Sequence, residues 1–225
     1  MNHKEQVIQF WDQFFKEGEP TALNPKEMKI ENPLDQYLKE LGDTCEDVLD
    51  VGCGTGYCLF KAHALGEKMK NGVGFDASKH AIDFANQTVQ MSHLLGLSFH
   101  VRDESFLKTI PSESFDGMIC SNFLDVIPKA LSDFIIKEMM RILKPDGYLL
   151  LKLNFYLDEN LIKKLNMTLI DENTYEMNDV IRAYNLDTND WIKRFPLCEV
   201  LATDGYQRAS NLPEDRIILF KKKHA

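Results

Sequence analysis

Cysteine is too sparse and too irregular in this chain to hold a metal or staple a fold. The five cysteines (Cys45, Cys53, Cys58, Cys120 and Cys198) are odd in number and follow no zinc-ligand spacing. Reduced, buried thiols in a cytoplasmic protein are therefore expected. Long apolar runs are missing too: none approaches a membrane span and no leader-like segment is read, so no membrane partner is expected. Positive charge is in deficit, with 26 Lys and Arg against 35 Asp and Glu for a net −9. Binding a phosphate backbone calls for a basic face, and the clearest basic cluster is Lys221-Lys222-Lys223, which reads as a solvated strand end. The balance argues against nucleic acid as a partner and disfavours an RNA-modifying enzyme. Repeats and low-complexity linkers are also absent, and 225 residues with 44% hydrophobic content fit one domain with a full core. No Ser-His-Asp or paired-carboxylate constellation is found. His63, His80, His93 and His100 fall in predicted helices or a strand, where structural roles are the plain reading.

What is present centres on residues 47–56, DVLDVGCGTG. Val48 to Val51 is a short apolar run of the kind that makes a buried strand. Gly52-Cys53-Gly54-Thr55-Gly56 cannot continue it: three glycines in five residues supply positive φ and no Cβ atoms, so a ligand can approach the backbone. Tyr57 to Lys70 then has helical spacing. Strand, glycine turn and helix place backbone N–H groups beside the carboxyl end of a buried strand, a nucleotide-type site. A dinucleotide fingerprint reads G-x-G-x-x-G, whereas this turn is G-x-G-x-G. A second short strand, residues 71–76, ends on Asp76, 20 residues after Gly56 and placed to accept from ribose hydroxyls.

VLDVGCGTG followed by GVGFDAS resembles the first two motifs of the class I S-adenosylmethionine-dependent methyltransferases. FDGMICSN (residues 115–122) and RILKPDGYLLL (residues 141–151) resemble later ones, so the likeness covers about residues 45–155. The fold it implies is α/β and Rossmann-like: a seven-stranded, mostly parallel sheet with an antiparallel last strand, helices on both faces and an N-terminal helical cap. The implied cofactor is S-adenosylmethionine, with S-adenosylhomocysteine as product. Backbone contacts would come from Gly52, Cys53, Gly54 and Gly56, with Ala77 beside Asp76 on the ribose. Asp103, with Glu104, would meet the adenine, unless Asp103 only caps a turn. Asn122 would lie beside the methionine part, and Asp50 reads as ordering the loop through its carboxylate and neighbouring N–H groups. Many relatives carry a histidine shortly after the fourth motif where this chain has Asp125. That residue could orient or deprotonate an acceptor, or cap a helix before Pro128.

Four segments are expected along the chain. Residues 1–43 form a helical cap, with Val7, Trp11, Phe14 and Phe15 on one stripe that packs on the sheet, acts as a lid or forms a dimer face. Residues 44–154 are the cofactor-binding core. There a helix capped by Ser78 runs to about Leu95 and stops at Gly96. Residues 155–187 are an acceptor-side insertion with a hairpin around Asp171 to Asn173. Trp11 and, from the insertion, Tyr156, Arg182 and Tyr184 are candidate acceptor contacts, each also readable as an ordinary packing or surface residue. Residues 188–225 supply a closing helix and two strands. The expected function is methyl transfer to a small-molecule acceptor by in-line displacement, with no nucleic acid and no metal, as a monomer or homodimer. The alternatives are a catalytically silent binding subunit of the same fold and an NAD-dependent oxidoreductase.

Overall fold

A computed structural model describes residues 2–224. The elements in chain order are α1 (His3–Phe15), α2 (Pro33–Thr44), β1 (Asp47–Val51), α3 (Tyr57–Leu65), β2 (Asn71–Asp76), α4 (Lys79–Ser92), β3 (Leu97–Val101) and β4 (Phe115–Ser121). They continue with α5 (Lys129–Ile142), β5 (Leu143–Leu153), α6 (Glu159–Lys164), β6 (Thr168–Asp171), β7 (Thr174–Met177), β8 (Val180–Tyr184), α7 (Thr188–Lys193), β9 (Cys198–Tyr206) and β10 (Asp215–Lys222).

Seven strands make one sheet in the order β3-β2-β1-β4-β5-β10-β9. The first five are parallel neighbours, whereas β10 runs antiparallel to both β5 and β9. β1 is an interior strand, between β2 and β4, and Val48, Leu49, Asp50 and Val51 are all buried. That explains why its sequence is a continuous apolar run, broken only by Asp50, rather than an alternating one. The strand order reverses between β1 and β4, which opens a crevice at the carboxyl edge of the sheet.

Local chemistry sets the helix starts. Asn2 and Glu5 form a reciprocal capping box on α1, Asn32 caps α2 with Pro33 in its first turn, and Ser78 Oγ accepts from Ala81 N to cap α4. α4 departs from expectation at its other end. It stops at Ser92 with His93 in the left-handed conformation, not at Gly96. Gly96 keeps a positive φ of 81° but serves the entry to β3, where its carbonyl accepts from Gly72 N.

The insertion is a separate three-stranded antiparallel sheet, β6-β7-β8. The hairpin around residues 171–173 is present, and β8 is a strand beyond it that the sequence pattern did not reveal. This small sheet is tied to the core where Tyr184 N donates to Asp125 O (2.7 Å). A second tie is reciprocal: the Asn185 side chain accepts from Leu157 N and donates to Leu157 O, both at 2.9 Å.

Candidate functional site

A cavity of about 680 Å³ opens over the carboxyl edge of the parallel strands. β1 contributes Asp50 and the following loop, β2 delivers Asp76, β4 ends in Ser121 and Asn122, and β5 supplies Lys152. α1 crosses the opening with Phe10, Trp11, Phe14 and Phe15, and β8 adds Arg182 and Tyr184. Cap, core and insertion therefore meet around one space.

The glycine loop is held by its own hydrogen bonds. Gly52 N and Cys53 N both donate to Phe75 O (3.0 Å each), Gly54 N donates to Asp76 Oδ2 (3.0 Å), and Gly56 N donates to Cys53 O (2.9 Å). Of the backbone groups expected to meet a ligand, the N–H groups of these four residues thus all have acceptors within the protein. The donors are spent in fixing the loop, which leaves its shape as the ligand-facing feature. Gly56 does not line the cavity. A Cβ there would stand 2.7 Å from the Phe99 ring and 2.9 Å from Phe60, at a φ of 85°, so its glycine serves packing at the start of α3. Gly52 is different. It lines the cavity at a φ of 70°, and a Cβ would fall 2.4 Å from Phe123 Cγ. Gly52→Ala is expected to strain the backbone by about 1–2 kcal/mol and push Phe123 aside. Calorimetry should then show at least about tenfold weaker binding of S-adenosylhomocysteine; an unchanged affinity would remove the loop from the binding surface.

Asp76 is largely buried and accepts from Gly54 N and, at 2.8 Å, from Ser78 N. Burial pushes its carboxyl up, and the N–H groups of Ser78, Gly54 and Ala77 oppose that shift. Asp50 overturns the reading made of it. Its carboxylate orders no part of the loop: among the described residues neither buried oxygen has a hydrogen-bond partner, although the residue lines the cavity. Burial, and secondarily the charge of Asp76, push its carboxyl well above the usual range. An orphaned acid between a glycine loop and Asp76 suits a cationic group, such as the ammonium of a methionine moiety, so these residues fit the implied cofactor.

Asp103 and Glu104 stand at the end of β3. Asp103 Oδ1 accepts from Ser105 N (3.0 Å) and Ser105 Oγ (2.6 Å), so the turn-capping role is real. Both acids also meet Lys4 of α1, Glu104 at 2.6 Å and Asp103 at 3.4 Å. Further along α1, Asp12 accepts from Ser78 Oγ (2.8 Å) and His80 N (3.0 Å). Two polar ties thus hold α1 across the opening, and Phe15 comes within 3.3 Å of where a Gly54 Cβ would stand.

Asn122 has a φ of 50°, and its Oδ1 accepts from Lys152 Nζ (2.8 Å). Lys152 is itself buried and pairs with Asp215 Oδ2 at 2.7 Å. Composition gave no sign of this pair, because its members lie 63 residues apart and meet only through the β5–β10 register. Asp125 does not cap α5, whose first residue follows Pro128 with no side-chain cap. Its Oδ2 accepts from Asn154 N (2.7 Å) and Asn154 Nδ2 (3.0 Å), while the buried Oδ1 has no partner among the described residues. Burial pushes its carboxyl up, against the Asn154 donors and the nearby Arg216. Trp11, Arg182 and Tyr184 all line the cavity, but Tyr156 does not. It is 48% exposed, turned outward just before Leu157 anchors the chain inside. Among the described residues no group of three His, Cys, Asp or Glu side chains is arranged to hold a metal ion, and no helix is long and apolar enough to cross a membrane.

Comparison with known proteins bears on this geometry. Residues 43–195 match the family model described as a methyltransferase domain. The tRNA N(3)-methylcytidine methyltransferase trm141 of Schizosaccharomyces pombe is 23% identical over 184 residues, covering 79% of this chain and 73% of that protein. The human tRNA N(3)-cytidine methyltransferase METTL6 is 22% identical over 206 residues, covering 89% and 69%. Among solved structures, the N-methyltransferase NodS of Bradyrhizobium japonicum WM9 in complex with S-adenosylhomocysteine has a TM-score of 0.65 at 15% identity, covering 97% of this chain and 99% of that one. The expectation of a small-molecule acceptor and no nucleic-acid partner is corrected here, because the curated relatives matched over 79–99% of this chain are named for tRNA. The physical reason is that net charge is a sum over the whole surface. It does not report how charge is placed around this one cavity, which Lys4, Arg102, Lys152, Arg182, Arg208 and Arg216 line together with five acids, Asp50, Asp76, Asp103, Glu104 and Asp125.

Proposed function

We propose, from the premise that this chain belongs to the class I S-adenosylmethionine-dependent methyltransferases, that its acceptor is a pyrimidine ring nitrogen in RNA. A cytidine of tRNA is the candidate that its relatives suggest. The observation that carries this reading is Asp125. It is a cavity-lining acid with one oxygen held by Asn154 and the other without a partner among the described residues, and the rings of Trp11, Phe14 and Phe123 line the same cavity. The exocyclic amine of cytosine donates to a carboxylate in base recognition, and a flat base gains by stacking on aromatic side chains.

The reaction asks little base chemistry of the protein. S-adenosylmethionine supplies a methyl group already activated on a sulfonium. A cytosine ring nitrogen carries its lone pair in the plane of the ring, so no proton need leave it before attack. The work left to this chain is holding, aligning and drying. Asp76 fixes the loop through Gly54 N and would take the ribose hydroxyls. Asp50 would meet the ammonium, Asn122, steadied by Lys152, the methionine end, and Asp103 with Glu104 the adenine end. Asp125 would hold the acceptor amine and so set which ring atom faces the methyl group. α1, tied down through Lys4 and Asp12, acts as the lid that excludes water.

The test is methyl transfer from labelled S-adenosylmethionine into total tRNA, followed by digestion to nucleosides and mass spectrometry. We expect 3-methylcytidine from the parent protein and at least about a tenfold drop for Asp76→Ala, whose loop loses an N–H acceptor. Tight binding of S-adenosylhomocysteine without any label entering RNA would overturn the acceptor class while leaving the cofactor in place.

A further inference from the structure

Six cations line the cavity, and five of them are engaged. Lys4 meets Glu104 and Asp103, Lys152 meets Asp215 and Asn122, and Arg208 meets Asp215. Arg216 donates to the carbonyls of Asn154 (2.9 Å) and Leu186 (2.7 Å), and Arg102 to that of Val101 (3.0 Å). Arg182 is the exception. Among the described residues no carboxylate, carbonyl or side-chain oxygen accepts from its guanidinium. The group is held instead over the Phe10 ring at 4.4 Å and near the Trp11 ring at 5.7 Å. Stacking uses the face of a guanidinium and leaves its five N–H donors unspent. Burial also makes the charged form costlier here than in water. A fixed, partly desolvated cation with a free donor fork is matched by an oxyanion that accepts in pairs.

We propose that Arg182 forms an anion subsite in the acceptor half of the cavity, taking a phosphate group of the RNA next to the base being modified. The assignment to RNA rests on the acceptor reading above; the anion subsite itself does not. β8 carries Arg182 two residues before Tyr184, whose N–H meets the carbonyl of Asp125. The subsite therefore lies beside the acid read as holding the acceptor, and a phosphate seated there would fix where a neighbouring base can reach. A cofactor carboxylate has the same oxyanion chemistry, and the experiment separates the two.

The protein has only two tryptophans, Trp11 beside the guanidinium and the fully buried Trp191, so Trp11 reports on the subsite. In the first arm, the complex with S-adenosylhomocysteine is titrated with inorganic phosphate at constant ionic strength while tryptophan fluorescence is followed. A saturable change in the parent that is lost in Arg182→Gln is expected; no phosphate-dependent change in the parent overturns the subsite. In the second arm, a short single-stranded oligoribonucleotide containing cytidine is bound to the same complex at several salt concentrations. Arg182→Gln should bind it about tenfold more weakly with a salt slope lower by about one, Arg182→Lys should fall between, and affinity for S-adenosylhomocysteine should stay within about twofold. If Arg182→Gln instead loses S-adenosylhomocysteine affinity and keeps its oligonucleotide affinity, the anion is the cofactor's carboxylate and the assignment to RNA is wrong. A phosphate response with no oligonucleotide binding by the parent upholds the subsite and overturns the RNA reading. Equal oligonucleotide binding by parent and variant overturns the assignment of the subsite to an RNA phosphate.

Discussion

Replacing Asp50 by asparagine is expected to raise the melting temperature of the free protein at neutral pH and, in the same protein, to weaken its hold on S-adenosylhomocysteine. Asp50 is 1% exposed with both oxygens unpartnered, and burial holds its carboxyl well above the usual range. The sign follows from linkage. Above pH ~4 the unfolded chain releases this proton first, while the native state keeps it. Over that window the native state binds more protons, so stability falls as pH rises until the raised native value is passed. Asparagine cannot ionise and escapes the fall. The gain should be at least about 1 kcal/mol, or roughly 2–4 °C for a chain of this size, and it should vanish as the pH is lowered toward 4. Binding runs the other way. A ligand cation beside Asp50 favours the charged carboxylate, and asparagine has no charge to offer, so affinity should drop by at least about tenfold. A variant that melts higher and binds as well as the parent would separate Asp50 from the ligand altogether.

Asp215→Ala should be the most damaging single change to stability outside the apolar core. Asp215 and Lys152 are both nearly inaccessible and 2.7 Å apart, and Arg208 approaches the same oxygen at 2.6 Å. Burial already lowers the proton affinity of Lys152, with Asp215 opposing that shift. Removing the acid strands a buried cation, a change that costs about 3–5 kcal/mol, while Arg208, partly exposed, can turn toward water. Urea unfolding should register the loss, and melting should come down by roughly 6–20 °C. A Lys152→Met, Asp215→Leu double variant should regain much of the stability, because an apolar pair of similar volume often replaces a buried ion pair without loss. It should not regain ligand binding, since Asn122 loses the Nζ donor that steadies it. Recovery of both properties would show that Lys152 acts only in packing; a cost under about 1 kcal/mol for Asp215→Ala would show that its charge is relieved elsewhere.

Legibility from sequence tracked how local the determining physics is. The β1 run, the glycine turn, the Ser78 cap and the hairpin at residues 171–173 depend on neighbours a few positions apart, and each reads directly from its stretch of chain. Asp76 and Asp125 were legible as site candidates because each follows a predicted strand end. Their partners were not. Whether Asp50 has hydrogen-bond partners depends on atoms brought in by other elements, and single-strand periodicity carries no record of that. The Lys152–Asp215 pair is set by strand register across 63 residues. Tyr156 failed for a related reason: it lies in an irregular segment whose neighbour Leu157 is anchored inside by Asn185, a partner 28 residues away, and that leaves Tyr156 exposed. Net charge misled most about the partner, because an average over the surface says nothing about one cavity.

The placement of β10 has a consequence for how the molecule is made. It is the last strand in the chain, yet it lies inside the sheet between β5 and β9. While residues 215–222 are still within the ribosome, β5 presents an open edge of unpaired N–H and C=O groups, and Lys152 has no counter-charge. Such edges invite pairing with other chains, and contacts of this sequence separation form late in folding. A nascent chain stalled or cleaved ahead of residue 215 would therefore expose a sticky strand and an incomplete site together. Pairing of residues 215–222 with β5 covers that edge and gives Lys152 its counter-charge in one step.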